Sequence, residues 1–179
     1  MVLLLEKEGL ETQLLDLRHT KQKEWPALAS FDGILVGSWI KMFRWVGEAT
    51  TFFKKHADEL KALKAKGLVV GVFVSCGSAS TPEGHAEAKD RYVEKVLTDL
   101  GIKAEVDIYD AFGGVLDLSS SAPMGFLDKR MLGMAAKQMV KDTGIDLKEG
   151  ARNDLRDWDQ IQMFIEHFAK LLKAGDGAN

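Results

Sequence analysis

Cysteine is almost absent from this chain of 179 residues, with Cys76 as its single example. No disulfide can therefore form within the chain, and this usage is typical of a reducing compartment, so we expect a cytoplasmic location. Runs of about 20 apolar residues are also absent, which argues against a membrane-spanning helix. The apolar run from Met1 to Leu5 is too short for the core of a signal peptide.

Strong charge of either sign is missing as well, since the formal net charge is -3 and the isoelectric point lies near 5.8. Without a basic field, the sequence argues against a nucleic-acid partner. The histidines are far apart and have no cysteine or acid at metal-ligand spacing, so we predict surface or helix-face positions and no metal site. No Ser/His/Asp grouping indicates a catalytic triad. The histidines are His19, His56, His85 and His167.

Apolar residues make up 46% of the chain and charged residues 28%, which is ordinary for one globular domain. We predict that this domain covers residues 1–174 and that residues 175–179 form a frayed tail. Continuous apolar runs predict buried parallel strands at Gly33–Ser38 and Leu68–Val74. Another strand is predicted at Glu11–Leu17. Either one long interrupted strand or a pair of strands is predicted at Lys103–Tyr109 and Phe112–Leu118.

Capping residues and amphipathic periodicity predict the helices between these strands. Thr81 followed by Pro82 has the pattern of an N-cap and a first helical residue. Asp157 and Gln160 have the spacing of a capping box. The leucines before Gly9 indicate either the end of a helix closed by that glycine or a short strand and hairpin. The longer helices are expected at 46–66, 82–100 and 124–141 and after 157.

The alternation of strands and helices predicts an α/β fold, a three-layer sandwich with a parallel sheet. Ligands of such sheets bind beyond the carboxyl ends of the strands, where we expect the loops Gly37–Trp45 and Ser75–Thr81. Trp39, Phe43 or Trp45 can stack on a flat ring such as a flavin, while backbone amides of the second loop bond its polar edge. Alternatively, the tryptophans simply cover the following helix.

The stretch FDGILVGSWIKMFRWVGEATTFFKKHADEL resembles the flavodoxin-like family of menaquinone-dependent protoporphyrinogen oxidases. In that family a strand ending in Gly-Ala/Ser precedes a short aromatic and basic loop and a helix with an FxKKHA pattern, with which Phe53 to Ala57 stands in register. The similarity continues through LVVGVFVS, FGGVLDL and RDWDQIQMFIEHFAK. Residues from about 115 to 156 resemble the family's long insertion, which short electron-carrier flavodoxins lack.

The resemblance implies a flavodoxin-like fold and non-covalently held FMN, which passes electrons between a reduced organic substrate and a quinone or protein acceptor. By motif position, it implies cofactor binding by residues of both loops. These residues are Ser38, Trp39, Ile40, Ser75, Cys76, Gly77 and Ser78. Cys76 is expected to be a small neighbour of the ring or core, with a reactive thiol as the alternative.

The first strand of that family and its Ser/Thr-rich phosphate loop have no counterpart here, so we expect an N-terminally incomplete sandwich. The FMN phosphate then lacks its usual partners. Two alternatives follow, a flavodoxin-fold binding or scaffold module without flavin, and a recorded start that lies inside a longer protein. A groove between the strands at Glu11 and Gly33 would favour a homodimer or strand exchange. The Ser75–Thr81 loop is either an anion site or an ordinary turn.

The helix expected at 124–141 carries Met124, Leu127, Met131 and Met134 along one stripe. Methionine adapts to varied apolar surfaces, so the stripe can border a quinone or porphyrinogen-like substrate or rest on a membrane surface. The alternative is that it belongs to the core. A further hypothesis is therefore that the protein is cytoplasmic and contacts a membrane peripherally.

Overall fold

The computed structural model describes residues 1–176 of the chain. Its strands are β1 (Gly33–Lys41), β2 (Arg44–Trp45), β3 (Val69–Ser75), β4 (Ile108–Phe112), β5 (Val115–Asp117) and β6 (Arg152–Asp154). Its α-helices are α1 (Val2–Lys7), α2 (Gly47–Lys64), α3 (Pro82–Ala88), α4 (Lys95–Asp99), α5 (Phe126–Thr143) and α6 (Trp158–Asp176). A π-helical segment, Lys89–Glu94, joins α3 to α4 without a break. Of the predicted frayed tail, residues 177–179 lie outside the described part.

A mostly parallel sheet forms the middle layer, with the strand order β2-β1-β3-β4. β1, β3 and β4 are parallel, while β2 returns antiparallel to β1. The two apolar runs predicted as buried strands are β1 and β3, and their register places Val36 opposite Val72. Because both faces of these strands are covered, an unbroken apolar run suits them better than alternation. The predicted α/β fold class is confirmed.

Helices cover both faces of the sheet, which gives the three layers. On one face α2, α3, α4 and the π-helical segment pack on β-branched side chains of the sheet such as Val70 and Val72. On the other face α6 and α1 form a smaller cluster with Phe112 and Phe164, whose rings meet edge to face at 5.3 Å. Because the helices cover the two faces of the sheet, the carboxyl ends of the parallel strands stay open at one edge.

Capping explains where several elements begin and end. Gly9 has φ +81° and follows α1, and its amide and that of Leu10 bond the carbonyls of Glu6 and Leu5, the pattern of a Schellman motif. The helix predicted before Gly9 is therefore confirmed. Thr81 accepts from Gly84 N at 3.1 Å, as predicted for an N-cap.

The capping box predicted at the start of α6 forms only in part. Asp157 accepts from the backbone N–H of Gln160 at 3.0 Å. The amide side chain of Gln160 bonds Asp110 and Ala111 instead of reaching back to Asp157. A tertiary contact with β4 thus replaces the second half of the box.

The strand predicted at Glu11–Leu17 does not form, and that prediction was wrong. Residues 11–16 pair with no strand, although Leu17 packs against the larger core. A strand needs a hydrogen-bonded neighbour, and local sequence does not reveal whether one exists. The groove expected between two strands is therefore a single open strand edge, that of β1.

The open edge of β1 faces away from β3. Val69 N bonds Asp32 O at 3.0 Å, so alternate residues of β1 direct their backbone groups toward β3. The N–H and C=O groups of Gly33, Leu35 and Gly37 consequently point to the open side. Within residues 1–176 these groups have no hydrogen-bond partner, since β2 covers this edge only beside Ile40 and Lys41.

The region of the predicted insertion forms a separate two-stranded sheet of β5 and β6 together with α5. Lys103–Glu105 is a 3-10 turn, and β4 and β5 are two distinct strands, so the interpretation as a pair is the one observed. Ala136 is the buried residue of α5, whereas Leu127, Met131 and Met134 are exposed. The interpretation of that stripe as core was wrong. The limits of the domain and of the insertion stay a prediction.

None of the helices in residues 1–176 has the length and apolarity that crossing a bilayer requires. Over the same residues, no group of three or more His, Cys, Asp and Glu side chains is placed to hold a metal ion.

Candidate functional site

β1 continues as a strand to Lys41, so Ser38, Trp39 and Ile40 lie in the strand, and the prediction of a loop there was wrong. A tight turn follows at Met42 and Phe43, whose φ angles are +48° and +63°. Two successive left-handed residues form a turn whose twist matches a two-stranded antiparallel ribbon. The aromatic and basic stretch is therefore a β-hairpin that projects beyond the carboxyl end of β3.

Ser38 is buried and fully engaged within the fold. Its hydroxyl donates to Trp39 O at 3.1 Å and accepts from Val46 N at 3.2 Å. Val46 is the N-cap of α2, and one of the orphan N–H groups at this helix start is thus satisfied. Ile40 packs against the larger core and pairs with Trp45. Both residues position the hairpin, and their predicted contact with a cofactor stays a prediction.

Trp39 differs from its neighbours because its side chain is 47% exposed at the carboxyl end of β1. It stands directly opposite Ser75, the last residue of β3. An aromatic face beside the ends of two adjacent parallel strands is suited to stacking on a flat ring. Among the three candidate stacking residues, Trp39 is therefore the best placed.

Trp45 is excluded as a stacking residue by its burial. Its indole lies 5.8 Å from the ring of Phe53, and its Nε1 donates to the carbonyl of Tyr92 in the π-helical segment. Burial also raises the pKa of the Tyr92 phenol. The alternative that a tryptophan covers the following helix therefore holds for Trp45. Phe43, at the hairpin tip, is exposed, and the Arg91 guanidinium lies 5.7 Å from its ring centre.

The second predicted loop begins at the end of β3 and includes a 3-10 turn, Gly77–Ser80. Cys76 N bonds Phe112 O at 2.9 Å, which fixes the loop to the end of β4. The Cys76 sulfur lies 3.4 Å from the Ser78 hydroxyl. Within residues 1–176 the N–H groups of Gly77 and Ser78 have no partner, so two donors remain for a ligand.

Gly77 also lies where the insertion approaches the loop. A Cβ at this position would stand 3.5 Å from Met139 Sδ and 3.7 Å from Leu116 Cδ1. Met139 belongs to α5 and Leu116 to β5, so the insertion covers one side of the candidate ring site. Ser75 contributes a further polar contact, since its hydroxyl donates to Gly113 O at 3.3 Å.

Two cavities of the described residues lie elsewhere. One of about 450 Å³ lies between α5 and the segments that flank β5 and β6, with Leu132, Val140 and Leu147 in its wall. The other, of about 410 Å³, follows the outer side of β4. Neither is lined by Trp39 or by residues 75–78. The candidate ring site therefore lies outside both cavities.

The groove beside β4 contains a polar cluster that the sequence did not reveal. His85 Nε2 lies 2.7 Å from Asp110 Oδ1, and Lys89 Nζ lies 3.7 Å from the same oxygen. Gln160 adds a contact at 3.4 Å from Asp110 Oδ2. His85 and Gln160 lie 25 and 50 positions from Asp110 in the chain, so no local pattern connects them. The cluster ties α3 and α6 to β4.

FMN is the cofactor that the fold implies, and the residues present suit only part of it. Trp39 offers an aromatic face, and Gly77 and Ser78 offer free N–H donors. The phosphate needs several convergent amides, usually at the start of a long helix. Within residues 1–176, α1 has only six residues, and the candidate ring site offers the two N–H groups of Gly77 and Ser78. The ring fits the described residues and the phosphate does not.

The layers, the parallel sheet and the position of these loops define a flavodoxin-type α/β domain, whose members bind flavin and transfer electrons. Residues 4–146 match the family described as the flavodoxin domain, and the chain belongs to this family. No curated protein and no solved structure matches the chain.

Proposed function

We propose that this protein is an FMN-dependent electron-transfer protein whose ring site lies between Trp39 and the loop of Ser75 to Ser78. The supporting observation is the half-exposed indole of Trp39 opposite Ser75, beside the unpaired N–H groups of Gly77 and Ser78. Bound FMN supplies the redox chemistry, while the protein orients the ring and limits access to it. Met139 lies over Gly77, so an electron donor or acceptor would approach the ring from the side of the hairpin.

At a finer level we propose an oxidase of the protoporphyrinogen-oxidase-like branch, with a reduced organic donor and a quinone acceptor. The support is the resemblance of the chain and of its insertion to that family. The FxKKHA-like segment supports the fold rather than the chemistry, because Phe53 is fully buried and His56 lies 5.0 Å from the Phe52 ring. Since this segment is used in packing, we expect the insertion to determine which electron donor is accepted.

Flavin titration tests the ring site. We expect the purified chain to quench flavin fluorescence on binding and Trp39→Ala to weaken binding about ten-fold, the upper range for an aromatic stacking pair. Phe126→Ala is the matched control, because Phe126 is 84% exposed at the start of α5, about 20 Å along the helix from Met139, which approaches Gly77. Equal losses in both variants would contradict the assignment of Trp39.

Comparison of FMN with riboflavin tests the missing phosphate contacts. In this proposal the described residues offer contacts to the ring alone, so we expect the two ligands to bind with affinities within a few-fold of each other. A preference of ten-fold or more for FMN would reveal phosphate contacts that these residues do not provide. Absence of binding by either flavin would favour the alternative, a flavodoxin-fold binding or scaffold module that uses no flavin.

Oxidase activity needs a separate test with bound flavin. We expect a photoreduced flavin complex to be reoxidised by a soluble quinone faster than free reduced flavin is, and a porphyrinogen to reduce the oxidised complex. If the quinone reoxidises the complex but the porphyrinogen does not reduce it, the protein is an electron carrier and the finer proposal fails.

A further inference from the structure

The outward face of α5 carries a continuous apolar stripe. Leu127, Met131 and Met134 follow the i, i+4, i+7 spacing of one helix face and are 68%, 47% and 64% exposed. Phe126, the first residue of the helix, is 84% exposed. Ala136 faces the rest of the protein. The helix therefore docks through a small residue and presents its large apolar side chains to the surroundings.

Such a stripe is unusual for a surface that contacts only water. Exposed apolar residues normally occur singly, and a contiguous group bordered by polar residues marks an interaction site. Methionine and leucine are flexible, so they adapt to a partner without a fixed shape. The stripe therefore indicates a surface that receives a partner, and the border of the stripe indicates which one.

Basic residues border the stripe on one side. Arg130, Lys137 and Lys141 are exposed and recur at i, i+7 and i+11 along the helix. Lys137 makes only a long contact of 3.8 Å with Glu149, where both side chains are mostly exposed. The acids of the helix, Asp128 and Asp142, lie toward its other side. Phe126–Thr143 thus has an excess of basic over acidic residues in a chain whose net charge is -3.

We propose that α5 is a membrane-surface helix that binds an anionic bilayer in the plane of its headgroups. An exposed apolar stripe beside Lys and Arg is the pattern of such helices. The long stems of Arg130, Lys137 and Lys141 extend the apolar surface while their charged ends reach lipid phosphates. Because the chain as a whole is negative, an anionic bilayer repels its other surfaces and selects the face of α5.

Vesicle co-sedimentation with the full chain tests this proposal. We expect binding to phosphatidylcholine vesicles that contain about 30% phosphatidylserine and much weaker binding to phosphatidylcholine alone, with affinity falling as salt rises. The variant Leu127→Gln/Met131→Gln/Met134→Gln should bind at least about ten-fold more weakly. Met163→Gln is the matched control, since Met163 is 63% exposed on α6.

A second pair of variants tests the basic residues that border the stripe. Arg130→Gln/Lys141→Gln should lower the partition coefficient about 25-fold, because each basic residue near an anionic surface contributes about five-fold. Lys54→Gln/Lys61→Gln makes the same charge change on the exposed side of α2 and should have little effect. All of these positions are exposed. Far-UV circular dichroism serves as the check that the variants fold.

A spectroscopic measurement locates the contact directly. A polarity-sensitive fluorophore on Met134→Cys in the Cys76→Ser background should shift to shorter wavelength with anionic vesicles, whereas the same label on Met163→Cys should not. The proposal is overturned if the chain ignores phosphatidylserine or if the α5 and control variants lose binding equally. It is also overturned if the stripe variant abolishes a dimer in solution without changing vesicle binding, because the stripe is then a protein contact. None of these outcomes depends on flavin binding.

Discussion

Gly37 lies beneath the ring of Phe73, its neighbour across β1 and β3. A Cβ added at Gly37 would stand 2.2 Å from Phe73 Cζ and 2.7 Å from both Cε atoms. Carbon atoms in contact keep about 3.5–4.0 Å, so Gly37→Ala forces the ring to move by about 1 Å or more. The sequence predicts this glycine as the first residue of a loop, but the structure gives it a packing role within β1.

The expected destabilisation follows from two opposing effects. Overpacking of a core contact costs about 1–3 kcal/mol of unfolding free energy. Replacing glycine in a strand by alanine returns about 0.5–1 kcal/mol, because the unfolded chain loses conformational freedom. We therefore expect Gly37→Ala to lower the unfolding free energy by about 1 kcal/mol, between limits of about 0 and 2.5 kcal/mol.

Urea unfolding followed by far-UV circular dichroism measures this change in two backgrounds. In the Phe73→Ala variant the ring is gone, so Gly37→Ala should become neutral or slightly stabilising. Gly47→Ala is the control, because nothing lies within 4 Å of its added Cβ. If Gly37→Ala destabilises both backgrounds equally, then Phe73 is not the reason for glycine here, and the steric reasoning fails.

Two further substitutions probe contacts seen in the structure. Trp45→Phe removes the indole donor to the Tyr92 carbonyl, so urea unfolding should show a loss of about 0.5–1.5 kcal/mol for this buried hydrogen bond; no loss would mean that the bond is not made in solution. The Arg156 guanidinium lowers the pKa of Asp154 from 3.8 to about 2, so the stability from this pair is present above pH 3.8 and is lost as the pH falls toward 2. Arg156→Gln should return the Asp154 pKa toward 3.8 in a carboxyl NMR titration, and an unchanged pKa would show that another group lowers it.

Much of the fold is encoded in local patterns that a single sequence reveals. The apolar runs of β1 and β3 mark buried strands because both faces are covered. Thr81 and Gly9 mark helix ends because their backbone and side-chain geometry satisfies terminal hydrogen bonds. Such signals need only neighbouring residues, and the corresponding predictions are confirmed.

The wrong predictions depend on contacts between distant residues. Glu11–Leu17 has a strand-like composition but finds no neighbouring strand. The turn at Met42 and Phe43 uses left-handed conformations that non-glycine residues seldom adopt, so the sequence suggested a loop. The stripe of α5 has helical periodicity whether it faces the core or the surroundings, and only tertiary packing decides between them.

The candidate site was predictable in outline only. Two carboxyl ends of parallel strands and an aromatic residue near them follow from the strand pattern. The choice of Trp39 over Trp45 does not, because it depends on burial of the Trp45 indole against Phe53 and the π-helical segment. Which residues bind FMN stays a prediction that the flavin titrations test.

The open edge of β1 is a site at which copies of the protein can aggregate. From Ile34 to Ile40 the strand has neither a charged residue nor a proline, the features with which natural edges resist docking of another chain. The edge is complementary to itself, since an antiparallel copy centred on Leu35 places Gly33 opposite Gly37. Turbidity during heating should therefore rise steeply with protein concentration, with edge-to-edge sheets as the growing species.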